Sequence, residues 1–305
     1  MSSIMKPSIP EIDKLLAKLK NDPYWNDFRL VYNYFDKTTG KFISELLDNI
    51  PEKQEDYRLY LFDFLIRTRR IFSSIVLLAI YGKLADMNIL YRPLLENIVQ
   101  TKILLKGRRA KSVRAINLYR LINKLKEQEN NPGDISQEDD MNILFDKLGY
   151  NYIDNAEKSK QKLLGYYHEE IMKMENIVKQ GIAWHGRSVK GALREINLID
   201  ELEDYYDSCK FIHVRDYELT GLDGYCGDKY AKLKLFMISL NCIYHLIDFK
   251  KACPKSFKIK RKNSKQIDYV MLLTKLIGQI LLIVSPELSD SIKDIIKPSQ
   301  QDINI

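Results

Sequence analysis

The sequence predicts an all-α, multi-helix bundle, and three observations predict it. Apolar residues recur every three or four positions along most of the 305 residues, the spacing that lines one face of a helix. Period-two runs of β-branched residues, which would mark half-buried strands, are almost absent. Hydrophobic residues make up 45% of the chain, sufficient to fill one large helical domain or two smaller ones.

In chain order, a short helix is expected near Glu11 to Lys20, after which Pro23 and the turn-like DKTTGK (Asp36–Lys41) should break the pattern. Pro51 can open a long helix from Glu52 that aligns Tyr57, Tyr60, Leu61, Phe64, Leu65, Phe72, Ile75, Val76 and Ala79. Gly82 and Asp86 mark a stop and restart. The next helix runs through NILYRPLLENIVQTKILLK to Gly107, and RRAKSVRAINLYRLINKLKEQ continues to an ENNPGD turn. Helices joined by such short breaks pack as antiparallel neighbours. Further on, Ser136 followed by Asp139 resembles an N-terminal cap, and a helix from Asn155 to Gln180 should end at Gly181. Ser188 is placed to cap the segment after AWHGR, and Asp200 a helix ending near His213. ELTGLDGYCGD (Glu218–Asp228) reads as a loop before apolar helices at Lys229 to Phe249 and Gln266 to Val284, with a polar tail after Pro298. Residues 1–50 are read as an N-terminal helical extension, 51–250 as the bundle core, and 251–305 as a basic loop, helices and tail packed on the same domain. ENNPGDISQEDD is the best linker candidate.

Cys209, Cys226, Cys242 and Cys253 form no CxxC pair, and the first residues show no apolar leader, so free thiols and a cytoplasmic location are expected. The most apolar late run is interrupted by Lys275 and Gln279, and no membrane span is expected.

The net charge of +7 is unevenly distributed. No acidic residue occurs between Asn97 and Lys126, a stretch that carries Lys102, Lys106, Arg108, Arg109, Lys111, Arg114, Arg120, Lys124 and Lys126. A second acid-free run extends from Lys250 to Lys265. Each run could meet phosphate, but taken separately each is better read as a solvated face balanced by acidic segments such as ELEDYYD. A polyanion partner follows only if folding gathers them.

The chain has no Walker loop, GxGxxG after a strand, HExxH, GxSxG or EF-hand loop, which removes most nucleotide, metalloprotease and hydrolase readings. Three constellations remain. In YRPLLEN, Arg92 and Glu96 lie one helical turn apart, either lining a polar pocket or forming a surface ion pair. In AWHGRS, Arg187 and Ser188 could receive a phosphate and Trp184 could stack on a base, although a Trp at a helix junction is more readily a core plug. In YYDSCKFIHVR, Tyr206, Cys209 and His213 share a helical face with Ser208 one residue off, and Arg215 follows. Histidine as acid and base with arginine on phosphate charge would permit metal-free RNA cleavage, whereas the plain reading is a helix C-terminus made favourable by His213. Cys209, His213, Cys242 and His245 are a permissible zinc set only if two helices meet there, and no metal or cofactor is expected.

The succession of YRPLLEN, AWHGRS and YYDSCKFIH leading into TGL resembles an uncharacterised bacterial all-helical family with an Arg-x-x-x-Glu helix, a Trp-x-Gly-x-Ser junction and a Tyr-x-Ser-x-x-x-x-His helix end. The resemblance runs from Tyr57 to Phe249 and carries over Arg92, Glu96, Trp184, Gly186, Ser188, Tyr206, Ser208 and His213. The chain is also similar to the HEPN (higher eukaryotes and prokaryotes nucleotide-binding) helical bundles, many of them ribonuclease toxins or antiviral effectors and usually dimeric. That kinship implies a HEPN-like core and RNA cleavage by Arg and His at a dimer interface. The chain departs from the nuclease pattern, because none of His168, His185, His213 and His245 has an Arg at the characteristic upstream spacing.

Two functions are therefore expected. In one, a toxin or defence effector binds or cleaves RNA, or binds a nucleotide, as a homo-oligomer or with a defence-system partner protein. His213 is then acid and base, Arg92 or Arg215 handles phosphate charge, Glu96 orients a partner and Ser208 assists. Trp184, Arg187, Ser188, Tyr206, Arg108 and Arg109 bind. In the other, the same Arg, Glu and His residues stabilise a non-enzymatic interaction module. Basic runs clustered beside the polar site favour the first, and a closed network around Arg92, Glu96 and His213 the second.

Overall fold

A computed structural model describes residues 10–48, 55–130, 143–148, 169–196, 202, 205–206 and 223–252. Among these every regular element is a helix: α1 (Pro10–Lys18), α2 (Pro23–Asp48), α3 (Glu55–Ile80), α4 (Leu84–Lys106), α5 (Arg109–Asn130), α6 (143–147), α7 (169–179), α8 (Val189–Glu195) and α9 (Asp223–Ala252). The chain divides into two compact units, one of Met1–Ile98 with Glu203–Ile305 and one of Val99–Leu202. The second is thus inserted in the sequence of the first, and α4 supplies residues to both.

The element boundaries follow local chemistry. Asp22 caps α2, its Oδ1 accepting the Tyr24 amide at 2.9 Å, and Pro23 takes the first helical position, where a missing N–H costs nothing. The expected break at DKTTGK does not occur; these residues lie inside α2. Their turn propensity is overridden because Thr39 is buried and bonds back to the Phe35 carbonyl at 2.7 Å, while Asp36 pairs with Arg69 of α3 at 2.6 Å. α3 ends at Gly82, whose φ of 66° admits the bond from the Lys83 amide to the Leu78 carbonyl at 2.9 Å. α4 runs on as a helix through Pro93. The expected loop at Glu218–Asp228 is also corrected in part, since Asp223–Asp228 form the start of α9 despite Gly224 and Gly227. α9 is apolar around most of its circumference, and its burial outweighs the cost of about 1 kcal/mol per helical glycine. The Ser136 cap, most of Asn155–Gln180, the Asp200 to His213 helix and the Gln266–Val284 helix lie outside the described residues.

In the first unit α3 packs against α1, α2 and α9, and α2 against α9. Phe28, Phe35, Phe42 and Leu46 of α2, Leu61, Leu65, Phe72 and Val76 of α3, and Leu235, Ile238 and Phe249 of α9 are all buried. Phe35 and Phe72 lie edge to face at 4.6 Å, and Phe42 stacks on Phe249 at 5.7 Å. Several buried polar groups find hydrogen-bond partners within the unit. The Asn97 amide donates to the Phe64 carbonyl and to Thr68 Oγ1, each at 2.7 Å, and Tyr32 and Ser73 share a hydrogen bond of 3.0 Å.

The second unit has its own core. Leu118, Leu121, Ile122 and Leu125 of α5 fall on one helical stripe and close on Leu144 and Phe145 of α6, Leu148, and Ile171, Met174 and Val178 of α7. Arg114 locks the edge of this core with a bidentate pair to Glu170, 3.1 and 3.0 Å, and a bond of 3.3 Å to the Leu148 carbonyl. α7 stops at Gly181, as its sequence predicts, with φ of 65°.

Phe72→Ala should destabilise the protein by about 3 to 5 kcal/mol, the range for emptying a packed aromatic site. Denaturant unfolding followed by circular dichroism measures it; a cost below ~1 kcal/mol would show that α2 and α3 do not share this core.

Candidate functional site

Arg92 and Glu96 stand one turn apart on α4, and Arg92 Nε donates to Glu96 Oε1 at 3.0 Å. Tyr205 OH donates to the same oxygen at 2.9 Å, and the Arg92 guanidinium lies 5.4 Å from the centre of the Tyr205 ring. Glu96 thus receives two donors on one oxygen while Arg92 is held by charge below and by a π-face beside it. Tyr205 is 6% exposed. The adjacent Tyr206, selected from sequence, is 52% exposed and meets Tyr205 edge-on at 5.9 Å. Neighbouring residues on a helix point about 100° apart, so only one of the pair can turn inward. The YY doublet offers no signal for which one. Beside the clamp, Tyr91 is buried, its hydroxyl accepting from Asn241 Nδ2 at 2.9 Å and its ring lying 4.8 Å from Lys234 Nζ. Sequence reading missed Tyr91 and Asn241 as well. Ser208, Cys209, His213 and Arg215 lie outside the described residues. Cys242 and His245 are both fully buried on α9, burial pushing the Cys242 thiol up, and the described residues contain no cluster of three ligating side chains.

In the second unit, 182–188 form the junction between α7 and α8. Trp184 is buried and occupies a core position rather than an open stacking surface, and its indole N–H has no acceptor among the described residues. A buried donor left unmatched costs about 1 to 3 kcal/mol, against which the large apolar ring is retained. His185 sits edge-on to Trp184 at 5.5 Å, and its Nδ1 accepts the Arg187 amide at 3.2 Å. Burial first, and the Arg187 charge second, lower its pKa to about 4. At neutral pH the ring is therefore uncharged, with its proton on Nε2. Gly186 makes this possible: its φ is 69°, and a Cβ there would come within 2.9 Å of Ile177 Cδ1. Ser188 caps α8 by accepting the Gly191 amide at 3.2 Å. Arg187 Nε pairs with Glu195 Oε2 at the other end of α8.

The acid-free stretch divides by burial. Lys102 is buried and Arg114 is committed to Glu170, whereas Lys106, Arg108, Arg109 and Lys111 are all exposed around the corner between α4 and α5. Lys106 Nζ donates to the Glu195 carbonyl at 2.8 Å, which brings the end of α8, with exposed Arg194, to this corner. The second basic run lies outside the described residues beyond position 252.

Residues 58–227 match the model of a family of unknown function, DUF5677. The chain belongs to that family. The match takes in more than half of the sequence, so the Arg92–Glu96–Tyr205 clamp, the junction and the basic corner are all within the family region. No curated protein and no solved structure matches the chain.

Tyr205→Phe removes only the hydroxyl from Glu96 and should cost about 1 kcal/mol in chemical unfolding; no loss would mean that Glu96 and Arg92 hold one another unaided. His185 gives a pH dependence of defined sign. Its folded pKa near 4 lies below the ordinary 6.5, so its contribution is complete above about pH 6.5 and is lost as pH falls toward 4. Melting temperature of the wild type should fall over that window, and His185→Asn, whose amide oxygen can accept the same Arg187 amide, should show a shallower fall.

Proposed function

We propose that this family member is an RNA-binding protein that takes the phosphate backbone on the basic corner of its second unit, without cleaving it through Arg92 and Glu96. The observation that carries the reading is the exposed set Lys106, Arg108, Arg109 and Lys111, joined by Arg194 through the Lys106 bond to Glu195. Three of these cations stand at the N-terminus of α5, which has no acidic residue in its first turn. That is the positive end of the helix dipole, so like charges accumulate where an anion would be favoured. Among the described residues, Arg108 and Lys111 have no ion-pair partner. An external polyanion would relieve this repulsion, and RNA is the polymer that the HEPN resemblance, expected from the sequence, would imply.

The exposed large apolar residues described in this unit are Ile143 and Met172, and Trp184 is buried. Among the described residues of this unit no exposed aromatic side chain offers a stacking platform, which supports affinity from phosphate contacts that is indifferent to base sequence. The closed geometry of Arg92, Glu96 and Tyr205 supports a structural role for that clamp.

Fluorescence anisotropy with a labelled single-stranded RNA tests this. The wild type should bind two unrelated sequences alike, with affinity falling steeply with salt. Arg108→Ala/Arg109→Ala/Lys111→Ala should weaken binding at least ~10-fold and flatten the log–log salt slope by about 2, the expectation for three lost single-strand contacts. Soluble Arg92→Ala should bind normally and the RNA should stay intact; fragmentation that Arg92→Ala abolishes would restore the nuclease reading.

A further inference from the structure

The proposed RNA surface contains its own competitor. α8 and the corner from Lys106 to Lys111 together hold a single acid, Glu195. Its backbone carbonyl is fixed by Lys106 Nζ at 2.8 Å while its carboxylate sits on Arg187 Nε. The side chains of Arg187 and Glu195 are 40% and 37% exposed, so the pair is within reach of solvent and of an incoming anion. Arg187 is held in place independently, through its backbone amide on His185 Nδ1.

We infer that Glu195 is a resident anion that an RNA phosphate displaces from Arg187, making the surface selective for a polymer over a mononucleotide; the inference rests on the RNA-binding reading. A phosphate forms the same charge-assisted bond to a guanidinium that a carboxylate does. A lone nucleotide must compete with a carboxylate tethered at high effective concentration. A strand already anchored on Arg108, Arg109 and Lys111 delivers its next phosphate as an intramolecular ligand and meets Glu195 on equal terms. Exposed ion pairs are weak, so the exchange has a low threshold.

The test compares wild type, Glu195→Gln, Arg187→Ala and the double variant against a labelled 20-nucleotide RNA and against AMP. Gln keeps the backbone carbonyl that Lys106 uses, and Ala keeps the amide on His185, so both local anchors survive. Glu127→Gln on the last turn of α5 is the charge control, roughly 27 Å from Arg109 at 1.5 Å per residue and beyond two Debye lengths in ordinary buffer. Glu195→Gln should bind RNA about fivefold more tightly and gain AMP binding relative to wild type, with less than ~2-fold change for Glu127→Gln. The gain should vanish in the Arg187→Ala background. A gain equal to that of Glu127→Gln, or one that persists without Arg187, overturns the inference and leaves RNA binding standing. A wild type that fails to bind RNA at low salt overturns both.

Discussion

The first unit depends on one constraint, the burial of α3 among α1, α2 and α9. Along its described length only Leu59, Arg67 and Arg70 are exposed, so polar groups on or facing this helix must find partners inside the protein. Each solution fixes a neighbour. Thr68 bonds back to Phe64, Asn97 bridges both from α4, Tyr32 meets Ser73 from α2, and Arg69 reaches Asp36. Apolar packing alone would tolerate small slips of one helix along another. These bonds set the register, because a slip would leave several buried groups unmatched at about 1 to 3 kcal/mol each.

α4 carries that register to the clamp. Asn97 is anchored against α3, and Glu96, its immediate neighbour, turns about 100° away toward Tyr205. Anchoring Asn97 therefore also fixes where Glu96 can stand, and Glu96 fixes Arg92. The polar residues that look most like chemistry in the sequence are thus tied to a helix buried among its neighbours. The same logic appears at the α2 terminus, where Asp22 both caps the helix and pairs with Lys232 of α9 at 2.7 Å while Tyr24 bonds the Lys232 carbonyl at 2.7 Å.

Periodicity made the helical class and the apolar faces of α3, α4 and α5 legible, because burial of a stripe leaves its spacing in the sequence. Ser188, Gly82 and Gly181 were legible as caps and stops for the same local reason. DKTTGK misled because Thr39 and Asp36 find their partners one helix away or one turn back, which no local propensity encodes. The glycines of Asp223–Asp228 misled because the fold extends α9 through them. At the candidate site, Arg92 and Glu96 were legible from their four-residue spacing. Tyr205 was not, since its identity as the third member rests on a contact 109 residues away in sequence. The basic run was visible, but which of its cations face water was not; Arg114 looks like Arg108 until Glu170 is placed beside it.

The two units deploy positive charge differently. In the first, Arg69, Arg92 and Lys232 each meet a carboxylate and a second partner or a partly buried setting, and their charge is consumed in holding helices together. In the second, Arg114 does the same for α5 and α7, but the corner after α4 places exposed cations at the unfavourable end of a helix whose first turn holds no acid. A protein can remove such a repulsive cluster at little cost by placing an acid in the first turn of α5, as helices commonly do. The cluster stands at an exposed corner, beside a junction whose histidine is kept neutral and whose arginine is kept tethered, and it is this arrangement that the proposed RNA phosphate would complement.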